Sequence, residues 1–266
     1  MIKFFRNIRQ TLMMENKTGK PAAMPSAGKP VVRYLKYAIG EIVLVVIGIL
    51  IALQINNWNE DNKEKRKIHT NIMSILDDIK EDSIAINSLI NTLSKQEQSA
   101  AHIVPIMESK TKIIQDSLKF ILDFNMLTTT PLITQRNNTW QLLTSSGQLS
   151  EFPDQKLLKL LQDYYYDYNY INTNFSNTST PTKLQLRELK YELFEDSEHR
   201  KFFPTDHPIA PDKAVYDSIF QNHRILALCR YIGSTSTFFE VQFKTLEEQC
   251  SVIINYINNK YSYKQQ

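Results

Sequence analysis

Five histidines and two cysteines are the side chains best suited to metal or nucleophile chemistry in this chain. A metal pair on a helix needs ligands three or four residues apart, on one face. His69, His102, His199, His207 and His223 never meet that spacing. His199 and His207, close to Glu198 and Asp206 in a loop-like stretch, offer the one place where a metal has donors at hand, and they read more simply as solvated loop residues. No phosphate-binding loop, dinucleotide fingerprint, zinc-type Cys or His pairing, or nucleophile elbow occurs. The expectation is a protein without cofactor or metal and with no catalytic activity of its own.

The densest aromatic cluster is Tyr164, Tyr165, Tyr166, Tyr168 and Tyr170. On a helix, Tyr164 and Tyr168 share an apolar seam while Tyr165, Tyr166 and Tyr170 point outward, a surface for a sugar-like ligand or a protein partner. Glu41 is the acid whose placement is costly, because it stands inside an apolar run. With Val45, Gly48, Ala52 and Asn56 it falls on one helix face, where Gly48 and Ala52 form a small-x-x-x-small contact motif. That face is expected to self-associate or to meet another membrane protein, with Glu41 hydrogen-bonded there or reaching back to the headgroups.

These residues need elements to hold them. The run Ala38 to Ile55 is apolar except for Glu41 and Gln54. At about 1.5 Å per residue it covers roughly 27 Å, close to the ~30 Å of a bilayer core. Tyr34 and Tyr37 on one side and Trp58 on the other suit the two interfaces. Mean hydropathy over the whole chain is −0.34, which excludes a many-spanning protein.

The net charge of +3 over 266 residues hides a strong asymmetry. Lys3, Arg6, Arg9, Lys17, Lys20, Lys29, Arg33 and Lys36 precede the apolar run against Glu15 alone, so the remainder is net acidic. A basic head suggests an anionic surface, and the span that follows makes that surface lipid rather than nucleic acid. By the positive-inside rule the N-terminus is cytoplasmic and the body beyond Trp58 is outside. Residues 1–14 read as a basic amphipathic helix in the headgroup plane, 15–33 as a Pro/Gly/Ala linker, 34–58 as the span and 59–266 as the external domain.

The opening MIKFFRNIRQ, the block YLKYAIGEIVLVVIGILIALQINNWNE from Tyr34 to Glu60, and WQLLTSSGQL from Trp140 to Leu149 resemble a family of single-span proteins of Bacteroidetes-type bacteria. That family is a domain of unknown function, so the resemblance implies a bacterial inner membrane and transfers no activity.

Three apolar stripes build the body. Ile68, Ile72, Ile75, Ile79, Ile86, Ile90 and Leu93 predict one helix from about Asn62 to His102. Leu157, Leu161, Tyr164, Tyr168, Ile171 and Phe175 predict a second, capped by Asp154, with a kink or break at Thr180–Pro181 before Leu186, Leu189 and Leu193. Ile225, Cys229, Ile232, Ser236, Phe239, Phe243, Leu246, Cys250, Ile253 and Ile257 alternate steps of four and three, the period of a coiled-coil or bundle seam. On that helix Cys229 and Cys250 lie roughly 31 Å apart, too far for a disulfide, unless it breaks near Gly233.

Shorter helices are expected at Lys112 to Phe124 and Gln135 to Ser146, the latter ending at Gly147 in a left-handed cap. The fold expected is all-α: a transmembrane helix followed by an elongated antiparallel bundle of long helices. The function expected is a periplasmic scaffold, accessory or sensor module. The alternative is a ligand-binding receptor domain with a pocket near the tyrosines. The expected partners are the bilayer and a second copy or another membrane protein.

Overall fold

The structure, a computed structural model, describes residues 29–203 and 205–261, with the side chains of residues 29–34, 36 and 151 outside that set. The expected headgroup helix 1–14 and the linker up to residue 28 lie outside the described residues. Seven helices and no strand occur among the described residues. They are α1 (Lys29–Glu108), α2 (Ser117–Leu127), α3 (Asn138–Ser145), α4 (Gln155–Leu193), α5 (Asp196–Arg200), α6 (Lys213–Gln221) and α7 (His223–Tyr261), with a 3₁₀ turn at Gln148–Glu151.

The described residues divide after Glu64 into two units. The first is the apolar stretch of α1, whose 18-residue window has mean hydropathy 2.6 and is not buried at all. The second, from Lys65 onward, is a helical bundle. There α1 and α7 run antiparallel: His69 meets Tyr261 with ring centroids 6.4 Å apart, Ser83 reaches Glu247 at 3.5 Å, Ser236 reaches Gln96 at 3.3 Å, and Arg230 pairs with Glu108 at 2.6 Å. α4 and α7 are antiparallel too, with Lys260 on Asp154 at 2.8 Å and Arg224 on Gln185 at 3.5 Å.

The fourth lane is not a long helix. Segment 109–154 descends beside α1 as α2, an extended link over 129–137, and α3. Its order is fixed by contacts with successively lower levels of α1: Asp123 with His102 at 2.6 Å, Thr129 with Gln96 at 2.7 Å, Arg136 with Asp82 at 2.7 Å, and Thr139 with Asp78 at 2.8 Å. An extended link leaves backbone groups without helical partners. Asp82 and Gln96 on α1 and Arg187 on α4 supply other partners, and Arg187 donates to the Thr128 carbonyl at 2.6 Å.

The stripes fold as their spacing requires. All ten seam positions of α7, from Ile225 to Ile257, are buried. Asp154 caps α4 through the Leu157 amide at 3.1 Å, and Gly147 takes the left-handed conformation expected after α3 (φ 71°). Helix ends and continuity differ from the sequence expectation: the helix expected from about Asn62 is one with the apolar stretch from Lys29, and the helix expected from Lys112 starts at Ser117. The first long helix runs on to Glu108 through Pro105. Of the kink or break expected at Pro181, the break does not occur: α4 is continuous there, and the same three-and-four spacing carries on past it through Ser179, Lys183, Leu186 and Lys190, all buried. Both cysteines are free and buried on one helix.

Candidate functional site

The apolar stretch of α1 places Glu41, Val45, Gly48, Ala52 and Asn56 on one face, all exposed. A Cβ added at Gly48 would meet nothing within 4 Å. Asn56 donates to Glu60 at 3.1 Å. Tyr37 is 60% and Trp58 69% exposed. Tyr34 lies on the same helix, with its side chain outside the described set. The 18-residue apolar window of this stretch is 0% buried.

The tyrosine cluster requires a correction. Tyr166 and Tyr170 do face solvent, but Tyr165 is buried, stacked on Trp140 with centroids 4.8 Å apart and planes 13° apart. α3 of the fourth lane lies over that side of α4, a neighbour whose position the periodicity of α4 does not reveal. Three open grooves of about 620, 610 and 510 Å³ are lined by the Glu81–Arg136 region, by the Lys112–Phe220 region and by the Leu193–Arg224 region. No tyrosine of the cluster lines any of the three.

Inside the bundle Tyr164 donates to the buried Asp82 carboxylate at 2.7 Å, whose other oxygen accepts the Arg136 amide. Burial raises the Asp82 carboxyl to about 6, against the pull of those two donors. Asp154 shows the opposite balance. Burial alone would raise its carboxyl, yet Lys260, the Leu157 amide, Tyr261 and Tyr256 all donate to it and hold it down to about 2.

Lys190 is buried but paired with Asn125 at 2.7 Å and Thr128 at 3.3 Å, and burial, with Arg187 nearby, lowers its ammonium to about 8. Lys183 is the exception. It is fully buried, its Nζ has no hydrogen-bond partner, and it sits over the Phe175 ring at 5.1 Å from the centroid. Burial alone lowers it to about 7. One turn earlier Ser179, also fully buried, has an unpartnered hydroxyl.

Sequence reasoning passed over Asp82, Gln96, Ser179 and Lys183 because their types are polar. Their spacing was the available signal, since each continues the apolar stripe of its helix. His199 stands against Tyr191, Phe202 and Phe203 with its Nε2 unpartnered. No group of three or more metal-binding side chains occurs among the described residues.

The fold and these features define a class: among the described residues, an all-helical bundle protein with one helix long and apolar enough to cross a membrane. Residues 41–186 match the model of a family of unknown function, DUF6090, and the chain belongs to that family. The matched region takes in the apolar stretch, the fourth lane and α4 as far as Leu186, so Asp82, Gln96, Ser179 and Lys183 lie within it. No curated protein and no solved structure matches the chain.

Proposed function

We propose that the chain is a single-span protein of a bacterial inner membrane, with a cytoplasmic N-terminus and a periplasmic helical bundle that acts as a scaffold, accessory or sensor module rather than an enzyme. The observation that carries this reading is the apolar stretch of α1. From Ile39 to Ile55 its large side chains are about half or more exposed on every side of the helix. One partner helix covers a stripe, whereas lipid covers the whole circumference.

Support for the orientation comes from the eight Lys and Arg ahead of the stretch against a mixed-charge flank after it. The face of Glu41, Val45, Gly48, Ala52 and Asn56 is the contact surface with a second copy or another membrane protein, and Tyr166 and Tyr170 are a further partner surface on the bundle.

The test is fractionation of cells making the full chain. The protein is expected to stay in the membrane pellet through alkaline carbonate and to float with lipid in a density gradient. Release by carbonate would overturn the reading. Gly48→Ile is expected to lower the yield of crosslinked oligomer in those membranes, and an unchanged yield would remove the helix-face assignment.

A further inference from the structure

The bundle core is two apolar clusters with a polar level between them. One cluster takes α1 from Ile72 to Leu93, α4 from Leu157 to Phe175 and α7 from Phe239 to Ile257. The other takes α1 from Ala100 to Met107, α2, the far end of α4 from Leu186 and α7 from Ile225 to Ile232. Between them each long helix turns polar or small residues inward: Gln96 and Ser99 on α1, Ser179 and Lys183 on α4, Gly233 and Ser236 on α7.

The three helices are not equally secured at this level. α1 and α7 are clamped, because Ser236 donates to Gln96 at 3.3 Å and a Cβ on Gly233 would lie 2.7 Å from the Ala100 Cβ. Gln96 in turn donates to the Met126 and Thr129 carbonyls at 3.2 and 2.7 Å, tying in the fourth lane. Ser99 donates to Asp123 at 3.1 Å.

α4 has no such tie. Its two inward polar groups, the Lys183 ammonium and the Ser179 hydroxyl, are the buried polar side chains of this level without a partner. Pro181 stands between them and has no N–H to give to the Asn177 carbonyl, so the helix lacks one of its own bonds at the same turn. A buried polar group without a partner carries a desolvation cost that opening to water relieves.

We propose that this level is a built-in opening point, at which α4 bends at Pro181 away from the clamped α1 and α7 and admits water to Lys183 and Ser179 while both apolar clusters stay packed. Protonation of Lys183 drives the opening, since the ammonium is stable only when hydrated. Among the described residues Lys183 is the buried titratable side chain of the level; Asp123, which accepts from Ser99, belongs to the fourth lane. The nearest charges along α1 are Lys95 and Glu97. Along α7 they are Arg230 and Glu240, engaged by Glu108 and Lys244. In the fourth lane Asp123 is engaged by His102 and Lys119, and on α4 itself Arg187 and Lys190 are held by the fourth lane. Burial alone sets the Lys183 amine near 7, with no charged neighbour contributing.

Hydrogen exchange of the full chain in detergent micelles, read by mass spectrometry, tests this. After correction for intrinsic rates, peptides covering 176–185 are expected to exchange at least about tenfold faster than those on either side of α4. The difference should grow about tenfold for each pH unit lowered from 9 to 7.5 and level off below 7. Lys183→Met is expected to abolish that pH dependence. Pro181→Ala is expected to slow the opening at every pH while keeping the slope, and it remains informative if Lys183→Met fails to fold. Equal protection of 176–185 and its flanks at all pH values would overturn the proposal, as would a slope that survives Lys183→Met.

Discussion

Replacing Lys183 with Met should make the bundle more stable, the reverse of the usual result in a core. The ammonium position is fully buried, has no acceptor and faces the Phe175 ring. Burial lowers its pKa from 10.5 to about 7. Between those values the unfolded chain holds a proton that the folded chain lacks, so wild-type stability rises with pH across the window from 7 to 10.5. At about 1.4 kcal/mol for each pH unit, the separation amounts to about 5 kcal/mol at pH 7. Met has a similar length and no charge, and imperfect packing takes back part of the gain. The expected stabilisation is therefore about 3–5 kcal/mol at pH 7 and under about 1 kcal/mol at pH 10. Urea unfolding of the full chain in micelles, followed by near-ultraviolet circular dichroism at pH 7, 8.5 and 10, measures it. A destabilised variant, or a gain that is the same at every pH, would refute the reasoning, because either result requires a partner or water at Lys183 in the folded state.

Tyr164→Phe removes one of two donors to buried Asp82 and should cost about 1.5–3 kcal/mol at pH 7, measured by thermal melts, with a smaller loss at pH 4.5 where the carboxyl holds its own proton. The Asp82 pKa is raised in the fold, from 3.8 to about 6, so its contribution to stability falls as pH climbs through that window, by about 3 kcal/mol in all. Gly233→Ala forces a Cβ to within 2.7 Å of the Ala100 Cβ and should cost about 1–3 kcal/mol by urea midpoint; a neutral outcome would mean that α1 and α7 do not meet there. Burial raises both thiols to about 12, so Cys229 and Cys250 should resist iodoacetamide at pH 8 until urea is added, and no internal disulfide should appear on a non-reducing gel.

The long helices were legible because their apolar residues recur at the helical period, and Asp154 and Gly147 mark ends by chemistry that needs no tertiary partner. What escaped was set by neighbours. Pro181 reads as a kink or a break, and α4 does not break there because packing on α7 through Phe175 and Leu186 holds both sides of it. Tyr165 reads as outward on a lone helix, and only the return of the chain as α3 puts Trp140 over it.

The fourth lane itself carries weak periodicity, being partly extended, and its position follows from polar side chains on other helices. For the same reason the polar level was invisible to a reading by residue type. Ser179 and Lys183 look like surface residues, and only the spacing that continues from Phe175 to Leu186 places them inside. The apolar stretch of α1 was legible as one long apolar helix, since its composition alone marks it.

The depth of Trp58 tests the membrane reading most directly. Trp58 and Trp140 are the chain's two tryptophans, so Trp140→Phe leaves Trp58 as the single reporter in vesicles made with brominated lipids. An interfacial Trp58 predicts a blue-shifted emission, quenched most by bromines placed just below the headgroups and least by those at the bilayer centre. Emission at the fully hydrated wavelength, with no quenching by bromines at any depth, would contradict the account.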